Sequence, residues 1–162
     1  MQTYEQYVEH PIAVARLLAE VGCDGPVMAA AYLHDVVEKT RVEIEEISER
    51  FGPEIAELVG ALSEDPAIEE YPARKRSLRR QVIGAGDAAV RIFAADRLAN
   101  MRDWSELEPG RRDACAKRLG TELRERLELW NEDLDELAAF DPELPFLAEI
   151  EAELASLRAD AG

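Results

Sequence analysis

Apolar residues recur along this chain at steps of three and four, and nowhere at the step of two that marks a half-buried strand. Ile12, Ala15, Leu18 and Ala19 form the first such stripe. Pro11 suits the first position of its helix, which leaves His10 just outside, and Gly22 supplies a stop. Asp24-Gly25-Pro26 starts a second helix, predicted to run through Met28, Tyr32, His34 and Asp35 to Lys39. Thr40 and Glu43 have capping-box spacing and predict a new helix there. Phe51-Gly52-Pro53 closes it and opens another, carrying Ile55, Leu58, Val59 and Leu62.

A polar connection follows from Ser63 to Pro72. Helices are then predicted over 73–83 and 87–103, divided near Gly84 and Gly86. The C-terminal third reads as two helices. One carries a long stripe of Ala116, Leu119, Leu123, Leu127, Trp130, Leu134 and Leu137, which fits a core better than an interface. The other is capped by Asp141-Pro142 and carries Leu147, Ile150, Leu154 and Leu157. There is no internal repeat, no low-complexity stretch and no linker long enough to divide the chain. The expectation is all-α: a compact multi-helix bundle forming a single domain over 1–162.

Composition narrows what such a bundle does. The chain has 162 residues, enough for a real core, and 47% of them are hydrophobic. No apolar run reaches the length of a membrane span and no signal peptide opens the sequence, so no membrane is expected as a partner. Cys23 and Cys115 lack CxxC spacing and read as reduced thiols of a cytoplasmic protein. The net charge of -16 repels a polyanion, which argues against a nucleic-acid polymer as partner. A small anion is still compatible, because Arg74, Lys75, Arg76, Arg79 and Arg80 are concentrated in one short segment.

The candidate chemistry lies in three places. His10 stands before Pro11, His34 stands before Asp35 with Glu38 one turn on, and Asp96 precedes Asn100 by four residues. These are the only two histidines of the chain. On one continuous helix His34 and Asp35 would diverge by about 100°, so they share an ion only if it lies between their directions. Glu38 shares the face of His34. Three helices side by side would bring two imidazoles and two carboxylates to one point. That donor set suits a first-row divalent ion and leaves room for water, whose proton Glu38 could take. Two histidines leave no imidazoles for a second ion. Each piece has an ordinary alternative: a surface histidine at a helix start, a hydrogen-bonded core histidine, an Asp96–Arg97 ion pair on a solvated face. Their ordered combination favours the joint reading.

His-Pro, then His-Asp-x-x-Glu, then Asp-Arg-Leu-x-Asn-x-Arg resembles the HD-domain metal-dependent phosphohydrolases. Within them the sequence is similar to the RelA/SpoT hydrolase domains and the Mesh1-type small alarmone hydrolases. The likeness covers residues 7–104 and includes the segment Glu46 to Val59; the C-terminal helices, 109–160, match in helical character alone. The resemblance implies one Mn²⁺ held by His10, His34, Asp35 and Asp96. It implies hydrolysis of the 3′-diphosphate of (p)ppGpp, the nucleotide of the stringent response, to GDP or GTP and pyrophosphate. Glu38 would activate water and Asn100 would orient groups around it. Arg74, Lys75, Arg76 and Tyr7 would meet the substrate, although a solvated helix face explains the basic run equally well.

Three positions depart from the family pattern. Lys39 replaces an Asp that normally follows the Glu; it could pair with Asp35, four residues before it, or simply favour the helix dipole. Residues 1–9 hold no Lys or Arg, where the family has basic residues on the guanine side. Phe93 stands where a lysine is usual. Two alternatives therefore accompany the alarmone hydrolase: a phosphohydrolase of another nucleotide, and a catalytically impaired nucleotide-binding protein.

Overall fold

The structure is a computed structural model and describes residues 4–162, with side chains from residue 8 onward. All regular structure among the described residues is helical, in ten segments. The first is α1, Tyr4–Glu20, and it contains Pro11 rather than starting at it. His10 is thus within a helix, one residue before the position where the missing proline N–H interrupts the ladder. The predicted start at Pro11 is corrected accordingly.

The second predicted helix is broken at the His-Asp pair. α2 spans Gly25–Leu33 and α3 is a single turn, Val36–Lys39. His34 Nδ1 lies 2.6 Å from the Ala31 carbonyl oxygen, an acceptor that an unbroken helix would give to a backbone N–H. Asp35 then takes φ -93°, ψ -5°, the sparsely used bridge between helical and extended backbone. The two side chains are therefore not held to the 100° divergence of a regular helix.

Thr40 does not begin the next helix. Its hydroxyl donates to the Val36 carbonyl at 2.6 Å and accepts from the Val42 N–H at 3.1 Å, so it closes α3. The capping box belongs to Glu43 and Glu46, and α4 runs Ile44–Phe51. Gly52, at φ 95°, turns the chain into α5, Pro53–Ala61. α6 is Tyr71–Ala85 and α7 is Asp87–Glu106, and Gly86 at φ 96° makes the corner between them.

The C-terminal third has three helices, not two: α8 Pro109–Arg118, α9 Leu123–Phe140 and α10 Leu147–Ala161. The long stripe is interrupted at Leu119-Gly120, where Gly120 has φ 77° and Leu119 is half exposed. Asp141-Pro142 forms a turn instead of a cap, and α10 begins only after Leu144 and Phe146 are buried.

α7 is the axis of the molecule. Val90, Ile92, Phe93, Ala94, Leu98 and Met101 are all buried, so it is apolar on nearly every side. It packs against α1, α6 and α10, and touches α2, α5 and α9. α4 and α5 pack together, α5 lies against α2, and α9 joins α6 to α10. Residues from α1 to α10 contribute to one contiguous core cluster. No described helix is long and apolar enough to cross a membrane, and Cys23 and Cys115 are not joined in a disulfide.

Candidate active site

The core places α1, the α2–α3 break and the middle of α7 around one point. His10 Nε2 lies 2.7 Å from Asp96 Oδ1, and His34 Nε2 lies 3.1 Å from the same oxygen. The ring centres of the two histidines are 5.6 Å apart. Asp35 Oδ1 stands 3.4 Å from His34 Nε2. One donor atom each from His10, His34 and Asp96 falls within a 4.8 Å span.

The hydrogen bonding suits this set to a cation. A neutral His34 donates from Nδ1 to Ala31 O, which leaves the lone pair on Nε2, the nitrogen facing Asp96. His10 Nδ1 is buried and has no hydrogen-bond partner, with Asp103 Oδ2 the nearby carboxylate at 3.7 Å. Arg97 and Asn100 each donate to Asp96 Oδ2, at 3.0 and 3.1 Å. Asp96 thus keeps Oδ1 for the convergence point and spends Oδ2 on its own helix.

Protonation follows from the same crowding. Burial opposes charge on His10, yet the carboxylates of Asp103, Asp96 and Asp35 outweigh it and hold the imidazole at about 10. His34 is likewise raised against its burial by Asp96 and Asp35. Asp96 is buried, which would raise it, but both histidines and Arg97 hold it well below the usual carboxylate range. The two imidazoles take up the positive charge that the buried carboxylate demands.

Lys39 meets the corner from outside. Its ammonium lies 2.9 Å from Asp35 Oδ2, so that carboxylate turns one oxygen to the lysine and the other toward His34. Glu38 accepts a hydrogen bond from the Glu64 N–H. Its carboxyl is pushed up, first by loss of water around it and then by the Glu64 and Asp35 charges. Glu64 is held low despite its burial, by Lys75 and Arg74.

These groups line a cleft of about 930 Å³ that holds His10, His34, Asp35, Glu38, Lys39, Lys75, Phe93, Asp96 and Asn100. Of the three basic residues expected at the substrate, only Lys75 lines it. Arg74 turns to Glu64 and to the carbonyls of Ile68 and Glu69. Arg76 pairs with Glu132 on the outer face of α6. Neither Arg74 nor Arg76 is among the cleft-lining side chains: Arg74 is engaged by Glu64 at the cleft wall and Arg76 by Glu132. Tyr7, also expected at the substrate, has a side chain outside the described residues. Phe93 is buried beneath Arg97, whose guanidinium carbon lies 4.3 Å above its ring.

The C-terminal helices contribute more than their sequence suggested. Asp133 on α9 accepts a hydrogen bond from Arg79 Nη1 at 2.8 Å and is ion-paired with Arg97, whose Nε lies 2.9 Å from its other oxygen. Arg79 continues to Glu132 at 2.9 Å, and Glu132 to Arg76 at 2.7 Å. Cys115 and Arg118 of α8, Leu119 just beyond its end and Arg126 of α9 also line the cleft. No local motif marked these residues; the one available hint was charge within otherwise apolar stripes.

The HD-domain family profile matches residues 1–130. The chain belongs to the HD-domain family. Membership implies a divalent metal, and the His/Asp set described above is present to hold one. Among curated relatives, a probable guanosine-3′,5′-bis(diphosphate) 3′-pyrophosphohydrolase of Synechocystis sp. is 38% identical over 134 residues, covering 78% of this chain and 18% of the relative. The bifunctional (p)ppGpp synthase/hydrolase SpoT of Escherichia coli K12 is 33% identical over 132 residues, covering 78% and 18%. The chain spans under a fifth of the length of these relatives. Two solved structures match more completely. That of lmo0812 from Listeria monocytogenes EGD-e has a TM-score of 0.79 at 25% identity, covering 96% of this chain and 99% of that one. A metazoan ortholog of SpoT, described as hydrolysing ppGpp and acting in starvation responses, has a TM-score of 0.69 at 26% identity, covering 96% and 82%.

Proposed function

We propose that this chain is a metal-dependent 3′-pyrophosphohydrolase of guanosine 3′,5′-bis(diphosphate), acting on cytoplasmic nucleotide with one Mn²⁺. The observation that carries this reading is the convergence of His10, His34 and Asp96 at the mouth of a cleft also lined by Glu38 and Lys75. The relatives and the metazoan ortholog support the choice of nucleotide. Asp35 completes the ligand set through Oδ1.

A divalent ion bound there supplies charge for phosphate oxygens and lowers the pKa of water. The remaining work falls to side chains. Glu38, whose carboxyl is raised chiefly by burial, takes the proton from the attacking water. Its hydrogen bond from the Glu64 N–H fixes its direction while one oxygen stays available. Asn100 and Arg97 hold Asp96 in register through Oδ2. Lys75, balanced by Glu64, faces the incoming phosphates. Water adds to phosphorus, the 3′ oxygen departs, and the products are pyrophosphate and GDP or GTP.

Lys39 is compatible with this scheme, because it engages Asp35 Oδ2 and leaves Oδ1 beside His34. The test is release of pyrophosphate from ppGpp by purified protein with Mn²⁺, beside a panel of other nucleotides. Preference for ppGpp is expected, with loss of on the order of 10²-fold or more in kcat for Glu38→Gln. Turnover no higher than that of a His34→Ala control would overturn the reading. A better substrate elsewhere in the panel would redirect it to another nucleotide.

A further inference from the structure

Four arginines are buried in this molecule: Arg79, Arg97, Arg112 and Arg126. Three have a carboxylate within ion-pair distance. Arg79 and Arg97 share Asp133, and Arg112 reaches Asp160 at 2.9 Å. Arg126 has no carboxylate partner among the described residues. Its Nη1 donates to the Tyr71 hydroxyl, and its buried Nε has no hydrogen-bond partner. The guanidinium carbon lies 4.4 Å from the Trp104 ring centre and 4.7 Å from that of Trp130. These rings attract a cation but carry no net charge to neutralise it. The imbalance is visible in its basicity: Arg79 and Arg97 are raised by their acids, whereas burial, with the nearby Arg97 charge adding to it, pushes Arg126 down.

A buried cation without a counter-charge is a costly arrangement unless something anionic visits it. Arg126 is only 9% exposed, yet it lines the same cleft as His10, His34 and Asp96. Tyr71, which holds Nη1, and Lys75, whose ammonium sits 5.1 Å from the Tyr71 ring centre, line the same cleft. Arg118 of α8 is a further cation lining this cleft. With Nη1 engaged, the edge made by Nε and Nη2 is the part of the fork that suits two oxygens of one phosphate. The chain's net charge of -16 makes a small anion a better visitor than a large acidic partner.

We propose that Arg126 anchors a phosphate of the substrate other than those being removed, namely the 5′-diphosphate of the bound nucleotide. This rests on the nucleotide reading above and extends it: the metal corner takes one phosphate group and Arg126 takes the other. Two anion sites at different points of one cleft measure the substrate's length.

The experiment is calorimetric binding of GDP and of guanosine to the purified protein, which differ only in the 5′-diphosphate. Wild type is expected to bind GDP at least about tenfold more tightly than guanosine, the size of one charge-assisted contact. Arg126→Gln should reduce that ratio to about threefold or less, and Arg126→Lys should leave it in between. Equal binding of the two ligands by wild type overturns the proposal without any variant. So does a folded Arg126→Gln protein that keeps the full ratio. If Arg126→Gln fails to fold, Arg126→Lys decides: an unchanged ratio is the contrary result. Because no turnover is required, a lost GDP preference is separable from failure to hydrolyse ppGpp.

Discussion

Asp96 lies between two groups of charge that are built in opposite ways. Behind it, Arg97, Asp133, Arg79, Glu132 and Arg76 alternate in sign from α7 across α9 to the outer face of α6. Each member finds its opposite on a neighbouring helix, and Asp96 supplies the third acid for three arginines through its pair with Arg97. In front, His10 and His34 bring two imidazoles against Asp96, Asp35 stands beside His34, and these carboxylates raise both imidazoles against their burial. The paired set holds helices together, and the open set turns imidazole nitrogens and a carboxylate oxygen toward one point. A buried polar group that is fully partnered argues for architecture, and one that waits for a partner argues for function.

The contrast is sharpest at Asp133, and so is the expected effect of breaking it. Asp133→Ala leaves Arg97 and Arg79 buried without their common acid, a loss on the order of 3–5 kcal/mol in unfolding free energy. Urea denaturation of the metal-free protein would read it. A loss under about 1 kcal/mol would mean that α9 does not brace α7 through this carboxylate.

Glu132, at the outer end of the same chain, should show a smaller effect that depends on pH. The hydrogen bond from Arg76, with Arg79 beside it, outweighs desolvation and holds Glu132 at about 2, below its ordinary 4.5. A depressed acid contributes stability that is present above pH 4.5 and lost as pH falls toward about 2. Its side chain is 35% exposed, so solvent screening limits the contribution to under about 1 kcal/mol. Comparing acid unfolding of wild type and Glu132→Gln over that window checks it: the two curves should converge at the acid end. Curves that stay parallel throughout would deny the pair any role.

On the open side, the smallest effect is expected at Lys39. Its pair with Asp35 is a partly exposed contact between residues one turn apart, worth roughly 0.3–0.5 kcal/mol. Lys39→Ala should therefore tighten Mn²⁺ binding by less than about fivefold and leave turnover within the same factor. A gain of a hundredfold in either would show that Lys39 suppresses the site.

How much of this was legible follows the same division. The open side announces itself, because a chain with two histidines that sets each beside a proline or an acid leaves few readings. Composition and spacing singled out His10, His34, Asp35 and Asp96, and the fold brings the first two and Asp96 within 4.8 Å, with Asp35 beside His34. The break between α2 and α3 was not legible, since no Gly or Pro marks it; a side chain, His34, takes the Ala31 carbonyl instead. Thr40 and Asp141-Pro142 looked like helix starts, yet each serves a turn, and the starts moved to Glu43 and beyond Phe146 where packing favoured them. Arg126 and Asp133 were hidden for another reason. On a helix with acids and bases at many positions, nothing local separates a buried charge from a solvated one; only α9 lying on α6 and beside α7 does so. The basic run 74–76 misled in the reverse direction, because Glu64 and Glu132 on other segments claim two of its three members.

The central claim is that the open side closes around one catalytic divalent ion. Mn²⁺ titrated into metal-free protein, followed by its electron paramagnetic resonance signal alongside pyrophosphate release from ppGpp, tests it directly. The account predicts saturation at one ion per chain, activity rising in step with occupancy, and loss of both in Asp96→Asn. Hydrolysis that survives chelation, or wild-type protein that binds no ion, would contradict it.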